Sequence, residues 1–175
     1  MDDSVRLILA SPVKHKQQVE QIVEIARRDP AVLAQVVDLL RSGSDVEKGT
    51  AAEVFKFVAA DASGMLLPHI QVLCEFIDHK APRVRWGCPE AIGHLARAYP
   101  VEVEGAIPKL IANLQDKSTV VRWCAAFALA EIARYNRERQ GELLAWFKEW
   151  IETETNNGVK NVYAKAIKAI ERQSP

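Results

Sequence analysis

Apolar residues recur along this chain at helical spacing, and no stretch alternates with a period of two. Residues 14–28 set Val19, Ile22, Val23, Ile25 and Ala26 on one face, opposite Lys, Gln and Glu. Residues 46–60 turn Ala51, Val54, Phe55 and Val58 inward, and residues 119–135 repeat the pattern with Val121, Ala125, Ala128, Leu129 and Ile132. A period near 3.6 with one apolar stripe predicts amphipathic helices. Turn signals divide them: Ser11-Pro12, Asp29-Pro30, Ser42-Gly43-Ser44-Asp45, Asp61-Ala62-Ser63-Gly64, Tyr99-Pro100 and Thr155-Asn156-Asn157-Gly158. The predicted helices cover 3–10, 14–28, 31–40, 46–60, 65–77, 82–98, 101–114, 119–135, 142–152 and 159–172, with 136–141 a loop. Asp29 and Asp45 are the expected N-caps of the third and fourth. Short turns near residues 43, 80, 117 and 156 make paired helices antiparallel.

The chain also matches itself. Shifted by 37 residues, Val84, Arg85, Trp86, Ala91, Ala96 and Arg97 meet Val121, Arg122, Trp123, Ala128, Ala133 and Arg134. Columns extend the match: Lys48, Arg85, Arg122 and Lys160 in one, Phe55, Ile92, Leu129 and Ile167 in another. Self-similarity at this period is the mark of a repeat architecture. One helical hairpin cannot bury its apolar face alone, whereas a stack of them forms a continuous core. The hairpins fall at 3–28, 30–60, 64–98, 101–135 and 142–172, in a single domain.

Composition narrows the function without naming it. The 175 residues are 49% apolar and 26% charged, with 23 basic and 23 acidic side chains. A protein that lives on phosphate contacts is usually basic, so this balance counts against nucleic acid. The charge is unevenly spread: residues 30–79 hold three basic and seven acidic side chains, and residues 80–139 hold ten and six. Three cysteines without CxxC spacing fit reduced thiols in the cytoplasm. The N-terminus lacks signal-peptide character, and no apolar run approaching 18 residues is expected to span a membrane. The four histidines show no metal-ligand spacing, so neither a metal nor a cofactor is expected.

The repeat at 101–135, with Pro108, Asp116, Val121-Arg122, Ala125-Ala126 and Leu129, resembles a HEAT repeat, particularly the short HEAT-like repeats of phycobilisome-lyase subunits. The preceding repeat follows less well, with Pro68, Asp78 displaced by one (His79 takes its place) and Val84-Arg85, then departs at Cys88-Pro89. Lys48 and Lys160 replace Arg in the outer repeats, Lys160 with Glu154 six residues before it. The resemblance implies an all-α, right-handed α-α superhelix of about five hairpins, whose second helices line a concave surface. It also implies a ladder between neighbouring repeats, built from the turn Asp and the Arg six residues later, here Asp116 and Arg122. Bidentate pairing is reason enough for Arg at that place; a row of cations for an acidic partner is the alternative.

Trp86 and Trp123 each follow a ladder Arg and lead, at helical spacing, to Glu90 and His94 or to Phe127 and Glu131. They either cover the joints between repeats or anchor a partner, since Trp is enriched at binding hot spots. With Arg85 and Arg122 these residues form the expected partner-binding strip. Pro89 falls inside a predicted helix, where it forfeits a backbone hydrogen bond. Cys88 lacks a nearby base, and no catalytic residue is expected. The sequence therefore points to a non-catalytic protein-interaction scaffold. The alternatives are an enzyme accessory or chromophore-lyase-like subunit, and a nucleic-acid-binding relative of the HEAT-like DNA glycosylases.

Overall fold

A computed structural model describes residues 3–172. Among these, α-helices are Ser4–Ala10 (α1), His15–Arg28 (α2), Val32–Ser42 (α3), Asp45–Ala62 (α4), Ile70–Glu75 (α5), Pro82–Leu95 (α6), Ile107–Asn113 (α7), Thr119–Tyr135 (α8), Arg137–Thr153 (α9) and Asn157–Glu171 (α10). Two 3-10 segments, Ser63–His69 and Glu104–Ala106, precede α5 and α7, and no strand occurs among the described residues. The chain is an all-α solenoid. α1/α2, α3/α4, α5/α6, α7/α8 and α9/α10 pair as hairpins, and the second helices α2, α4, α6, α8 and α10 pack on one another in order. The first helices touch their neighbours in the stack far less, so the second helices form the tighter, inner row.

Local chemistry sets the boundaries. Ser44, one residue earlier than the sequence suggested, caps α4 in a reciprocal pair with Glu47: Ser44 N–H donates to Glu47 Oε2 at 2.7 Å and Glu47 N–H donates to Ser44 Oγ at 3.3 Å. Asp29 accepts from the Ala31 amide at 3.0 Å, closing the turn that opens α3 at Val32 rather than at residue 31. The largest departure lies at 136–141, which is helical. Asn136 Oδ1 accepts from the amides of Glu138 and Arg139 at 3.1 Å each, so α9 starts there. Its Nδ2 donates back to the Pro100 carbonyl at 2.8 Å, which joins the last two repeats. The first helices expected at 65–77 and 101–114 shrink to short α-helices behind 3-10 turns.

One apolar core runs through the stack, from Val5 and Ile22 through Phe55, Ile92 and Leu129 to Tyr163 and Ile170. Its inner row depends on small residues. A Cβ added at Gly87 would lie 2.7 Å from the Ala52 carbonyl carbon, so α4 and α6 meet backbone to backbone there. Pro89 lies buried inside α6, and the helix runs past it from Pro82 to Leu95.

One expectation needs correction. A window within Asp45–Glu75 has a mean hydropathy of 1.3, enough by length and composition to cross a bilayer, and 33% of it is buried. Here Val54, Phe55, Val58 and Leu66 all enter the solenoid core, and the 3-10 segment carrying Pro68 interrupts the α-helix.

Because the atoms opposing Gly87 are the Ala52 carbonyl and its Cβ, none of which can swing aside, Gly87→Ala has to force two helices apart. It is expected to destabilise the fold by about 1–3 kcal/mol, read from urea unfolding; an unchanged midpoint would show that α4 and α6 separate freely.

A candidate protein-binding face

The cation column and the turn acids form a ladder, but with partners other than those expected. Arg122 donates from Nε and Nη2 to the two Glu154 oxygens at 3.0 and 3.1 Å, a bidentate pair reaching into the following hairpin. To Asp116 it offers only Nη1, which donates to the backbone carbonyl at 2.9 Å. The Asp116 carboxylate pairs instead with Arg85 of the preceding repeat at 2.7 Å. The sequence spacing placed the Arg correctly at the start of α8, but its guanidinium extends past its own turn to the next. Arg85 also donates to Asn113 Oδ1 at 3.0 Å, and Asn113 Nδ2 donates to the Ile77 carbonyl at 3.0 Å. Lys48, at the corresponding place in the second hairpin, lies 5.9 Å from the Phe76 ring centroid.

The ladder shifts the titration of its acids. The Ser118 amide, donating to Asp116, holds that carboxyl below the usual carboxylate range, and Arg85 adds to the effect. Burial pushes the Glu154 carboxyl up, but hydrogen bonds from Arg122 and the Asn156 amide outweigh it, and the net shift is downward. Only 16% of the Arg122 side chain and 9% of the Glu154 side chain are exposed. Arg85 and Arg122, expected beside the partner, are therefore consumed in holding repeats together.

The remaining expected residues lie on the inner-row face. Positions one, five and nine after each ladder cation share one side of the helix, at roughly 100° per residue. Trp123 is 38% exposed and stacks on Phe127, centroids 5.6 Å apart and planes within 2°. His94 meets the Phe127 ring edge-on at 5.3 Å. Gly93 makes room for this: a Cβ there would lie 2.6 Å from Phe127 Cε1. The stack floors an open groove of about 450 Å³ between α8 and α10, bordered by Glu131, Arg134, Asn161 and Lys165. Trp86 and Glu90 lie in the neighbouring groove of about 280 Å³, between α4 and α6, where Val120 approaches from α8. Trp86 is half-buried, and its indole N–H has no acceptor among the described residues. Glu90 pairs with Lys56 at 3.8 Å and accepts from Cys124 Sγ at 3.5 Å.

The two indoles therefore differ in setting. Two residues before the next ladder cation stands Val120 in Trp86's groove but Gly158 in Trp123's, and the missing side chain leaves Trp123 open. Phe57 belongs to the same face and was missed. It is 41% exposed, has Lys56 Nζ 4.7 Å from its ring centroid, and lines a groove of about 550 Å³ between α2 and α4. Its spacing of nine residues after Lys48, the register of His94 and Glu131, is the signal that could have found it.

Chemistry has little foothold elsewhere. Cys88 is completely enclosed and Cys124 nearly so, and burial pushes both thiols well above the usual range. Half-buried Cys74 rises to about 11 for the same reason. No three His, Cys, Asp or Glu side chains converge as a metal ion would need, among the described residues.

Comparison with known proteins agrees with this geometry. The HEAT repeat family model matches residues 106–135, the α7/α8 hairpin. Over 104 residues, 54% of this chain, the sequence is 31% identical to the serine/threonine-protein kinase tor1 of Schizosaccharomyces pombe, but it spans only 4% of that protein. An engineered protein superimposes with a TM-score of 0.72 at 18% identity, over 97% of this chain and 79% of its own. Computationally designed armadillo repeat proteins for modular peptide recognition give 0.72 at 21% identity, over 95% and 81%. The fold is thus of the armadillo/HEAT type.

Two outcomes follow from the ladder. A double-mutant cycle on Arg122→Ala and Glu154→Gln should give a coupling of about 1–3 kcal/mol, whereas Arg122→Ala with Asp116→Asn should be nearly additive. Strong coupling in the second cycle would restore the pairing expected from spacing. Asp116 and Glu154 both bind their protons less tightly in the folded chain than in the unfolded one. The stability they confer is complete above the ordinary carboxylate range, roughly above pH 5, and is lost as pH falls through the lowered folded values. Asp116→Asn/Glu154→Gln should therefore flatten the acid limb of the stability profile, read by urea unfolding at stepped pH.

Proposed function

We propose that this protein is a non-catalytic scaffold that binds a protein partner on the inner-row face of its central and C-terminal repeats. The observation that carries the reading is the Trp123–Phe127 stack, open to solvent on the floor of the α8–α10 groove. Exposed aromatic rings held rigidly beside polar rims are the usual composition of a binding hot spot. The fold shared with armadillo designs made for peptide recognition supports the same use of stacked second helices. Three free thiols fit a cytoplasmic setting.

The rival readings lack such support. A chromophore-handling accessory, suggested by the phycobilisome-lyase resemblance, calls for an enclosed apolar site, and this face offers open grooves. A DNA-binding relative would need its cation column for phosphate, and Arg85 and Arg122 are held by Asp116 and Glu154.

The test compares proteins retained from a native extract by the immobilised chain and by Trp123→Ala/Phe127→Ala. Partners held by the wild type should be lost from the variant, while its helical circular dichroism persists. Retention of the same partners by the variant would move the interface to another surface.

A further inference from the structure

The second and third hairpins are joined differently from those that follow. Where Arg85 and Arg122 reach carboxylates of the next hairpin, Lys48 reaches the Phe76 ring, 5.9 Å from its centroid. His79 stacks on the same ring, with centroids 5.6 Å apart and planes 29° from parallel. Its Nδ1 accepts from the Ala81 amide at 3.1 Å, at the N-cap of α6. An accepting Nδ1 carries no proton, so this bond holds the imidazole neutral, with its hydrogen on Nε2. Ten residues earlier His69 meets the Phe55 ring of α4, centroids 6.1 Å apart. Two of the four histidines therefore lie within residues 63–81, whereas residues 3–10, 30–42, 101–114 and 137–153 contain none.

Both rings are half-buried, and their surroundings oppose a positive charge. Burial holds the His79 imidazole below its ordinary range, and Lys48 of α4 and the adjoining Lys80 add to the effect. Asp45 of α4 and Asp78 act in the other direction without reversing it. Those two acids are already engaged, Asp45 by Lys80 at 3.8 Å and Asp78 by Lys109 of α7 at 2.8 Å. Arg85 of α6 adds a further cation near Asp78. Burial also lowers His69, where no charged group among the described residues contributes. Protonating His79 on Nδ1 would end the Ala81 bond and set a cation against the positive end of α6. The segment has little else to hold it, since α5 has six residues and follows a 3-10 turn.

Both histidines bind a proton less readily in the folded chain than in the unfolded one. The stability they confer is complete above roughly pH 6.5 and is lost as pH falls through their lowered folded values. The Arg85–Asp116 and Arg122–Glu154 pairs stay charged down to roughly pH 5. Between these limits one joint weakens while the ion-paired rungs stand. We propose that residues 63–81 form a pH-sensitive hinge between the second and third hairpins. With His69 and His79 neutral, the segment is seated on α4; with both protonated, it loosens and the solenoid bends at this joint.

The test follows histidine ring protons by NMR and amide exchange by mass spectrometry on the full chain. Both run from about pH 7.5 to about pH 5.5, with exchange corrected for its intrinsic pH dependence. His69 and His79 should titrate below the ordinary imidazole value. Residues 63–81 should lose protection roughly threefold or more relative to residues 119–135. Titration of both rings at or above the ordinary value, which needs no variant to detect, would overturn the hinge. So would an equal loss of protection in the two segments, since acid would then weaken the whole stack. His69→Gln/His79→Asn carries neutral groups at every pH, and the Asn oxygen can still accept from the Ala81 amide. This variant should keep its protection at the lower pH, and an undiminished loss would assign the acid response to other groups. If the double change does not fold, His79→Asn alone should reduce the loss, and a loss equal to that of the wild type would count against the proposal.

Discussion

The close approach of successive second helices governs the rest of the molecule. Where α4 and α6 meet at Ala52 and Gly87 there is no space for even one more carbon. Helix axes elsewhere sit about 8–10 Å apart, set by intervening side chains; here the backbone itself is the contact surface. Such a tight inner row places the first helices on the outside of the bend, where they have less to pack against. The short α5 and α7, each led in by a 3-10 turn, are what this outer row can sustain. Polar bridges therefore do more of the joining on that side: Asn113 to the Ile77 carbonyl, Asn136 to the Pro100 carbonyl, Lys109 to Asp78 at 2.8 Å.

The second helices were legible in the sequence, and the reason is physical. They carry the uninterrupted apolar stripes and the 37-residue self-match, and residues 119–135 proved helical from end to end. The first helices were less so, because Gly64, Pro68, Pro100 and Gly105 perturb a pattern too short to outweigh them. Asn136 illustrates a different gap. As a polar residue after a helix it reads as loop, yet its side chain caps α9 while reaching back to the Pro100 carbonyl. Arg122 shows a third. Spacing locates the guanidinium but not its acceptor, since the choice between Asp116 and Glu154 is made by how the next hairpin stacks.

The face itself was half visible. Trp123, Phe127, His94 and Glu131 meet as their register required, whereas Trp86 is equivalent in sequence and different in environment. What decides is the residue that the following helix sets opposite: Val120 in one groove, Gly158 in the other. A repeat alignment compares each residue with its counterparts and says little about this cross-helix neighbour. Phe57 was overlooked for the converse reason, since its repeat lacks the Trp that drew attention to the register.

The uneven packing of the two helix rows has a mechanical consequence. Any change in curvature must pivot about the inner row, where backbone meets backbone and little compression is available. The displacement then grows with distance from that pivot and is greatest among the outer helices. The ion pairs Arg85–Asp116 and Arg122–Glu154 bridge successive repeats, so they act as stays that resist splaying of the turns they connect. Long polar side chains tolerate small changes of length better than a packed core does. The solenoid is thus a leaf spring with a stiff inner leaf and a compliant outer one, and its flexing is directed into the plane that opens or narrows the inner face.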